Sequence, residues 1–319
     1  MKLFFKKPSY ETQMVKSKIA LGENIFDLSP QIIAEEKIKN ITKHSYCNLT
    51  NSGNASIFLA LSAINNKIII PDQGGWNGFK QIANLLNKEV EILKTDDGII
   101  NLDYFNELDL DNSALITTSF AGYSGEQDIK SISKYCNDNN ILLIEDASGG
   151  ICDNKKKIGN GNYSDIIIAS TGSPKMINVE NGGFISYNDE KLIEKFKIPL
   201  KTSKCDLITA GGIATEIKQT PKNFKTTTKA CKYLKNNLDN VIHKEKRGIN
   251  VIIKTKDSKK MTFNLRNEFL LDKKSFFTKC PNYNRVKKKG VAIEIKNLDI
   301  SCLNKENLDL IIEKIKLYQ

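Results

Sequence analysis

Between residues 67 and 187, short apolar runs recur along the chain, and each ends near a cluster of small or polar residues. Apolar runs bounded by turn residues are typical of buried β-strands. The segments between them have apolar residues at helical spacing, for example over residues 79–86 and 128–137. Strands that alternate with helices in this way predict βαβ units and a mostly parallel sheet flanked by helices. The predicted strands are 67–71, 90–93, 113–120, 141–144, 165–169 and 183–187.

Two stretches lack this periodicity and are predicted to be irregular, namely residues 1–30 and residues 197–212. After the first stretch, Ser29 and Pro30 predict the start of a helix over residues 30–43, because serine suits the N-cap and proline suits the first turn. The second stretch contains glycines and follows the last strand of the repeating pattern. We therefore expect the junction between two domains in this second stretch.

The last third of the chain predicts a smaller unit. We expect a large domain over residues 1–205, which includes the N-terminal segment, and a small C-terminal α+β domain over residues 206–319. The predicted elements of the small domain are a helix over 229–238, strands over 250–254 and 290–295, and a terminal helix that begins at Asn304 or Glu306 and has an apolar face of Leu308, Ile311, Ile312 and Ile315.

The composition is ordinary for a soluble globular protein, with 40% hydrophobic and 27% charged residues in a chain of 319. No apolar run approaches the roughly 20 residues of a membrane span, and the N-terminal segment lacks the apolar core of a signal peptide. The seven cysteines are scattered and odd in number, so we expect reduced thiols in a cytoplasmic protein. His44 and His243 are isolated, and we predict no metal site.

The formal net charge is +11, which suits acidic partners. Three of the 48 basic residues are arginines, so 45 are lysines, and they are spread along the chain. This distribution favours a solvated lysine surface, with acidic small molecules as partners and nucleic acid as a minor alternative. Arginine, unlike lysine, can pair with a carboxylate through two hydrogen bonds. Of Arg247, Arg266 and Arg285, we select Arg285 as the candidate that contacts the carboxylate of an amino acid substrate.

A lysine and an aspartate at neighbouring strand ends form the strongest chemical pattern. Asp146 follows the predicted strand 141–144, and Lys175 lies just past the predicted strand 165–169 among small residues. In parallel sheets, ligands bind outside the carboxyl ends of the strands. There a lysine can hold pyridoxal phosphate (PLP) as a Schiff base, and an aspartate can keep the pyridine nitrogen protonated so that the ring accepts electrons. The pair therefore predicts a PLP site.

The segment 48–56 predicts a phosphate site beside this pair. Its small and polar residues precede a helical pattern, so the first backbone N–H groups of the helix and its dipole point at one place. We expect the amides of Asn54 and Ala55 and the hydroxyl of Ser56 to bind the cofactor phosphate.

Three motifs of the chain occur together in one known family. They are Glu145-Asp146-Ala147, Ser170 followed by Lys175, and Gly182-Gly183 before a strand. In this combination they resemble the DegT/DnrJ/StrS family of sugar aminotransferases. The resemblance implies the fold of aspartate aminotransferase, which is fold type I of the PLP-dependent transferases, and PLP as the cofactor. It implies a homodimer and a reaction that moves an amino group from an amino acid, by analogy glutamate, to a keto group on a nucleotide-linked sugar.

The resemblance also implies roles for individual residues. Lys175 and Asp146 would be catalytic, Ser170 would bind the cofactor phosphate, and Trp76 would stack on the pyridine ring. Asn181, before the double glycine, and Arg285 are the candidates for substrate contact. The residues expected to bind the cofactor are Gly53, Asn54, Ala55, Ser56, Trp76, Ser119, Asp146, Ser148, Ser170 and Lys175.

The chain departs from the family pattern at three places. The family has glutamine at the position of Gly149 and an acid at the position of Asn181, and its asparagine-containing segment near residues 201–204 is absent. Because Lys175 is present, the dehydratase branch, which has histidine there, is disfavoured. Two alternatives stay open: another PLP reaction, such as β-elimination or sulfur transfer with Cys205 or Cys280, and a non-catalytic binding protein of the same fold that could hold RNA.

Overall fold

The computed structural model describes residues 3–64, 67–269, 271, 274–282 and 286–319. Over these residues the chain forms two sheets of four strands or more, each packed against helices. The α-helices are α1 (Tyr10–Ala20), α2 (Pro30–Thr42), α3 (Gly53–Ser62), α4 (Gly78–Leu85), α5 (Ile129–Asp138), α6 (Lys191–Thr202), α7 (Leu207–Glu216), α8 (Thr220–Asn237), α9 (Ser258–Glu268) and α10 (Lys305–Tyr318).

The described residues form fifteen strands, of which six follow the apolar runs predicted between residues 67 and 187. They are β1 (Tyr46–Thr50), β2 (Lys67–Pro71), β3 (Val90–Leu93), β4 (Thr95–Asp96), β5 (Ile99–Ile100), β6 (Ser113–Thr118), β7 (Phe120–Ala121), β8 (Gly125–Glu126), β9 (Leu142–Asp146), β10 (Ile166–Ser170), β11 (Gly183–Tyr187), β12 (Val241–Ile242), β13 (Val251–Lys254), β14 (Phe277–Cys280) and β15 (Gly290–Ile293).

The central sheet has seven strands in the order β1-β11-β10-β9-β6-β2-β3. The strands β10, β9, β6, β2 and β3 pair in parallel, and β11 runs antiparallel to both of its neighbours. Apolar side chains are buried on both faces, with α3 packed against β10 and β11 on one of them. These pairs confirm the predicted α/β class with a mostly parallel sheet. Such a sheet needs helices on both faces, because its strands are buried on both sides.

The prediction of irregular structure is wrong for residues 10–20 of the first stretch and for most of residues 197–212. Residues 10–20 form α1, α6 continues to Thr202, and α7 occupies most of the remainder of the second stretch. α7 contains Gly211 and Gly212, and a Cβ atom at Gly211 would lie 2.2 Å from Ile19 Cδ1 of α1. In the sequence these glycines suggest a loop, but in the structure they allow α7 and α1 to approach closely. The packing between the two helices outweighs the low helix propensity of glycine.

The C-terminal part contains an antiparallel sheet in the order β12-β13-β15-β14, packed against α8, α9 and α10. The expected apolar face of α10 is buried in the core of this part. α7 and Phe224 of α8 contribute instead to the core of the large sheet. The domain boundary between residues 205 and 206 stays a prediction. Among the described residues, none of the helices combines the length and the apolar character that crossing a membrane requires.

His243 directly follows β12 of the C-terminal sheet. Its Nδ1 atom is 2.9 Å from Ser124 Oγ, in the turn between β7 and β8. Burial, with Lys235 nearby, lowers the pKa of His243 from 6.5 to about 4. The folded protein therefore binds fewer protons than the unfolded chain between these two values, and stability falls as the pH falls through this window.

Acidification should lower the free energy of unfolding through His243. Between about pH 7.5 and about pH 5, we expect His243 to remove about 2 kcal/mol from the free energy of unfolding. Urea unfolding of the wild type and of His243→Asn at the two pH values measures this loss. The asparagine variant keeps a polar group toward Ser124 but does not titrate. An equal loss of stability in both proteins would contradict the prediction.

Candidate active site

Two parallel strands bring Asp146 and Ser170 to the same edge of the central sheet. Asp146 ends β9, Ser170 ends β10, and Asp146 pairs with Ile168 in the register of these strands. A cavity of about 250 Å³ opens at this edge, a size that suits a small ligand. It is lined by Ser52, Gly53, Asn54, Ile57, Trp76, Tyr123, Asp146, Ser148, Ile168, Ala169, Ser170 and Lys175.

Lys175 reaches this cavity from the loop that follows β10. Its Nζ atom donates a hydrogen bond to Tyr123 Oη at 2.7 Å. Lys6 anchors this loop. Its buried Nζ donates hydrogen bonds to the backbone carbonyls of Lys175 at 2.7 Å and Met176 at 3.2 Å. Burial lowers the pKa of Lys6 to about 8. The N-terminal segment therefore fixes the backbone on which the predicted catalytic lysine stands.

Asp146 is held by the neighbouring serine segment. Its Oδ1 atom accepts a hydrogen bond from the Ser148 amide at 2.9 Å, and Ser148 Oγ accepts one from the Ser170 amide at 2.8 Å. These two bonds connect the ends of β9 and β10. The carboxylate consequently has a fixed direction at the cavity wall, across from the loop that carries Lys175.

The N-terminus of α3 forms another part of the wall. Ser52 Oγ caps the helix by accepting a hydrogen bond from the Ala55 amide at 3.2 Å. Gly53 and Asn54 line the cavity, and a Cβ atom at Gly53 would lie 2.5 Å from Ser170 Cβ. Glycine is therefore required for this close approach of helix and strand. The first turn of α3 presents the geometry that binds phosphate groups.

Trp76 covers one side of the cavity. Its indole Nε1 donates to Asn54 Oδ1 at 3.1 Å, and 41% of the residue is exposed. The side chain thus combines a flat apolar surface with a fixed anchor, which suits stacking on an aromatic ligand.

Because Trp76 is the only tryptophan, its fluorescence should report binding in this cavity. We expect PLP to quench the emission of the cofactor-free protein in a saturable way. Trp76→Ala should weaken PLP binding about tenfold, as the loss of an aromatic contact of about 1–1.5 kcal/mol predicts. Equilibrium dialysis measures both proteins, with Tyr10→Ala, an exposed aromatic residue outside the cavity, as the matched control. Equal affinity of Trp76→Ala and the wild type would exclude the stacking role.

Several predicted residues are not brought to the cavity wall. The Ser56 hydroxyl is buried and lies 2.7 Å from Thr50 Oγ1, and the Ala55 amide already bonds Ser52. Ser119 is buried behind the site, where its hydroxyl donates to Glu145 Oε1 at 2.6 Å. Asn181 is exposed, and only its backbone carbonyl has a hydrogen bond, from Thr171 Oγ1, among the contacts that the structure gives.

The other proposed participants lie elsewhere. Arg285 is outside the described residues. Arg247 pairs with Glu126 and with Asp153. The two cysteines suggested for sulfur chemistry, Cys205 and Cys280, are buried and do not line the cavity. Burial raises the pKa of Cys205 to about 12, which opposes the thiolate that such chemistry needs.

Two residues of the site were missed by the sequence reasoning. Tyr123 lies in the turn that follows β6 and β7, and β6 pairs in parallel with β9, which carries Asp146, so the rule on strand ends could have found it. Lys6 carries no local signal, because it acts on a loop 169 positions away in the sequence.

The fold and the cavity together define a class of protein. A mostly parallel sheet with one antiparallel strand carries a lysine, an aspartate and a helix N-terminus around one small cavity. These residues fit PLP, with Lys175 for the aldehyde, Asp146 for the ring nitrogen and α3 for the phosphate. The arrangement is that of the PLP-dependent enzymes of fold type I.

Comparison with family models identifies the family. Residues 18–219 match the DegT/DnrJ/EryC1/StrS aminotransferase family, and the chain belongs to this family of PLP-dependent aminotransferases. Residues 221–316 match the MJ1341 family C-terminal domain. A sequence comparison with curated proteins finds no significant match.

Solved structures of the same fold include sugar-modifying enzymes. Helicobacter pylori PseC, an aminotransferase involved in the biosynthesis of pseudoaminic acid, has a TM-score of 0.80 at 13% identity, covering 100% of this chain and 99% of its own. The putative sugar aminotransferase Spr1654 from Streptococcus pneumoniae, in its PMP form, has a TM-score of 0.77 at 12% identity, covering 99% of each chain. E. coli GDP-4-keto-6-deoxy-D-mannose-3-dehydratase with hydrated PLP has a TM-score of 0.73 at 15% identity, covering 98% of this chain and 100% of its own.

Proposed function

We propose that this aminotransferase moves an amino group from glutamate to a keto group on a nucleotide-linked sugar. The observation that carries the proposal is the meeting of Lys175, Asp146 and the N-terminus of α3 in one cavity. The names of similar structures support the acceptor class, since they include an aminotransferase of pseudoaminic acid biosynthesis and an enzyme named for a GDP-linked keto sugar. Lys175 supports transfer over the dehydratase chemistry.

PLP supplies an electron sink when it is bound, and the protein's own groups do the rest. The first turn of α3 would bind the phosphate, and Trp76 would cover the ring. Asp146 would pair with the ring nitrogen and so stabilise its protonated form. Lys175 would hold the aldehyde of the cofactor, and its amine, when free, would move the proton of the substrate Cα.

We further propose that the enzyme works as a homodimer in the cytoplasm. All seven cysteines are free and buried, which suits a reducing compartment. Nucleotide-linked sugars are acidic, and the net charge of +11 favours their approach. Light scattering of the purified protein determines the oligomeric state.

The visible spectrum of the PLP-loaded protein tests the reaction in two halves. Glutamate should remove the absorbance band of the cofactor bound to Lys175, and a nucleotide-linked keto sugar should restore it. A band that responds to no amino acid would overturn transamination. If glutamate removes the band and only simple keto acids restore it, the protein is an aminotransferase but its acceptor is not a nucleotide-linked sugar.

A further inference from the structure

Tyr123 is placed in the cavity by an unusual backbone position. It lies in the turn between β7 and β8 with a left-handed φ of 62°. Its carbonyl accepts hydrogen bonds from the amides of Ile249 at 2.9 Å and Asn250 at 3.0 Å, which lead into β13 of the small sheet. Because a non-glycine residue rarely adopts this φ, the two bonds from the C-terminal part are needed to hold the turn. The phenol is thereby directed at Lys175 Nζ, 2.7 Å away.

Lys296 is a second cation close to the same ring. Its Nζ is 4.9 Å from the ring centroid of Tyr123, and the residue is only 5% exposed. It is held by Asn297 Oδ1 at 2.8 Å and by the carboxylate of Glu294 at 3.4 Å, which also accepts from Asn250 Nδ2. A cation in this position interacts favourably with the electron-rich ring face and with negative charge on the phenol oxygen.

Gly149 makes room for the tyrosine. A Cβ atom at this position would lie 3.1 Å from Tyr123 Cδ1 and 3.0 Å from Ile249 Cδ1. Either neighbour would have to move to admit a side chain there. Gly149 therefore leaves the space in which Tyr123 lies beside Lys175.

Four charged groups act on the phenol: Lys175, Lys296, Asp146 and, through Lys296, Glu294. Burial raises the pKa of Tyr123 and Asp146 adds to this, but the charges of Lys175 and Lys296 outweigh both, so the pKa lies below its ordinary value of 10.0. The direction agrees with the geometry, because two ammonium groups lie close to one phenol at the cavity wall.

We propose that Tyr123 is a catalytic residue that exchanges a proton with Lys175 across their hydrogen bond, and that Lys296 is a positioning residue for this exchange. The proposal rests on the function proposed above. In the exchange, the phenolate oxygen takes a proton from the Lys175 ammonium. An O–H bond forms at Oη, an N–H bond breaks at Nζ, and the electron pair stays on nitrogen. The neutral amine that results can accept the proton of the substrate Cα.

The first test needs no cofactor. Ultraviolet difference titration of the cofactor-free wild type against Tyr123→Phe reports the ionisation of this one phenol. We expect ionisation below the ordinary pH of phenols in the wild type and at higher pH in Lys296→Met, with Lys296→Arg returning it toward the wild type. Tyr104, which has Lys94 Nζ 4.7 Å from its ring centroid outside the cavity, provides the matched control in Tyr104→Phe. A Tyr123 phenol that ionises at its ordinary pH would overturn the proposal.

The second test is the rate of the half-reaction with glutamate in a single turnover. Tyr123→Phe should slow it about 100-fold, a typical contribution of general acid–base catalysis, with little change in PLP affinity. The acidic limb of its pH profile should move to higher pH. Lys296→Met should show a smaller loss in the same direction, which Lys296→Arg reverses. A Tyr123→Phe rate within about twofold of the wild type also overturns the proposal, since the smallest expected contribution is about 100-fold. A wild type that reacts with no amino acid overturns the proposed function instead, and the phenol titration then decides the Tyr123 arrangement alone.

Discussion

Lys175→Ala is expected to lose at least about 10⁴-fold of the rate of amino transfer, because one side chain provides both the covalent attachment and the proton transfer. The site offers no replacement among the lysines that the structure describes, since Lys175 is the single lysine of the cavity lining. Lys6 lies close in space, but its Nζ is committed to the carbonyls of Lys175 and Met176. The variant should still bind PLP through α3, Asp146 and Trp76.

Three measurements distinguish this loss from damage to the fold. Borohydride reduction followed by peptide mass mapping should find the cofactor on Lys175 in the wild type and on no lysine in the variant. Small primary amines added to Lys175→Ala should restore part of the proton transfer. Lys134→Ala, which removes a lysine from an exposed helix face, should react at the wild-type rate. Labelling of a different lysine with retained activity would move the catalytic role away from residue 175.

The site could be predicted from sequence where its geometry follows from local pattern. The buried strands β9 and β10 are short apolar runs, and parallel neighbours place their last residues at one edge. That rule alone brings Asp146 and Lys175 to one cavity. The start of α3 is likewise local, because small residues before an apolar helix mark an N-terminus.

The remaining parts depend on contacts that no local pattern encodes. Ser56 has the right type of side chain for phosphate, yet its hydroxyl turns to Thr50 in the neighbouring strand. Ser119 lies behind the site because its hydroxyl donates a hydrogen bond to the buried carboxylate of Glu145. The helical state of residues 207–216 depends on the approach of α1 to its glycines. In each case a partner distant in the sequence decides which of two reasonable local states is adopted.

The hydrogen bond between Tyr123 and Lys175 could not be predicted from a local sequence pattern either. A strand-end rule places Tyr123 near the site, but the direction of its phenol depends on Ile249, Asn250 and the space left by Gly149. Together with Tyr123 itself, these residues come from three separate stretches of the chain. The C-terminal part is therefore directly connected to the chemistry of the large sheet.

Asp146→Asn is expected to slow the half-reaction with glutamate about 10²- to 10³-fold, the usual cost of removing one electrostatic group aimed at a reacting centre. Asparagine keeps an oxygen that can accept from the Ser148 amide, so the ends of β9 and β10 should stay connected. It carries no negative charge, so the ring nitrogen loses the partner that keeps it protonated. Binding of PLP should weaken far less than the rate, because α3 and Trp76 are unchanged.

Glu145→Gln is the matched control, since it changes the adjacent acid by the same chemistry on the other side of the strand. Glu145 is fully buried and accepts from Ser119 Oγ, the Gly159 amide and Ser164 Oγ. Burial raises the pKa of Glu145, and glutamine keeps an oxygen that can accept from Ser119 Oγ and the Gly159 amide. We expect this variant to change the unfolding midpoint and to react with glutamate within a few-fold of the wild type. Equal losses of rate in the two variants would show that Asp146 acts through the fold, whereas a loss confined to Asp146→Asn assigns its charge to the reaction.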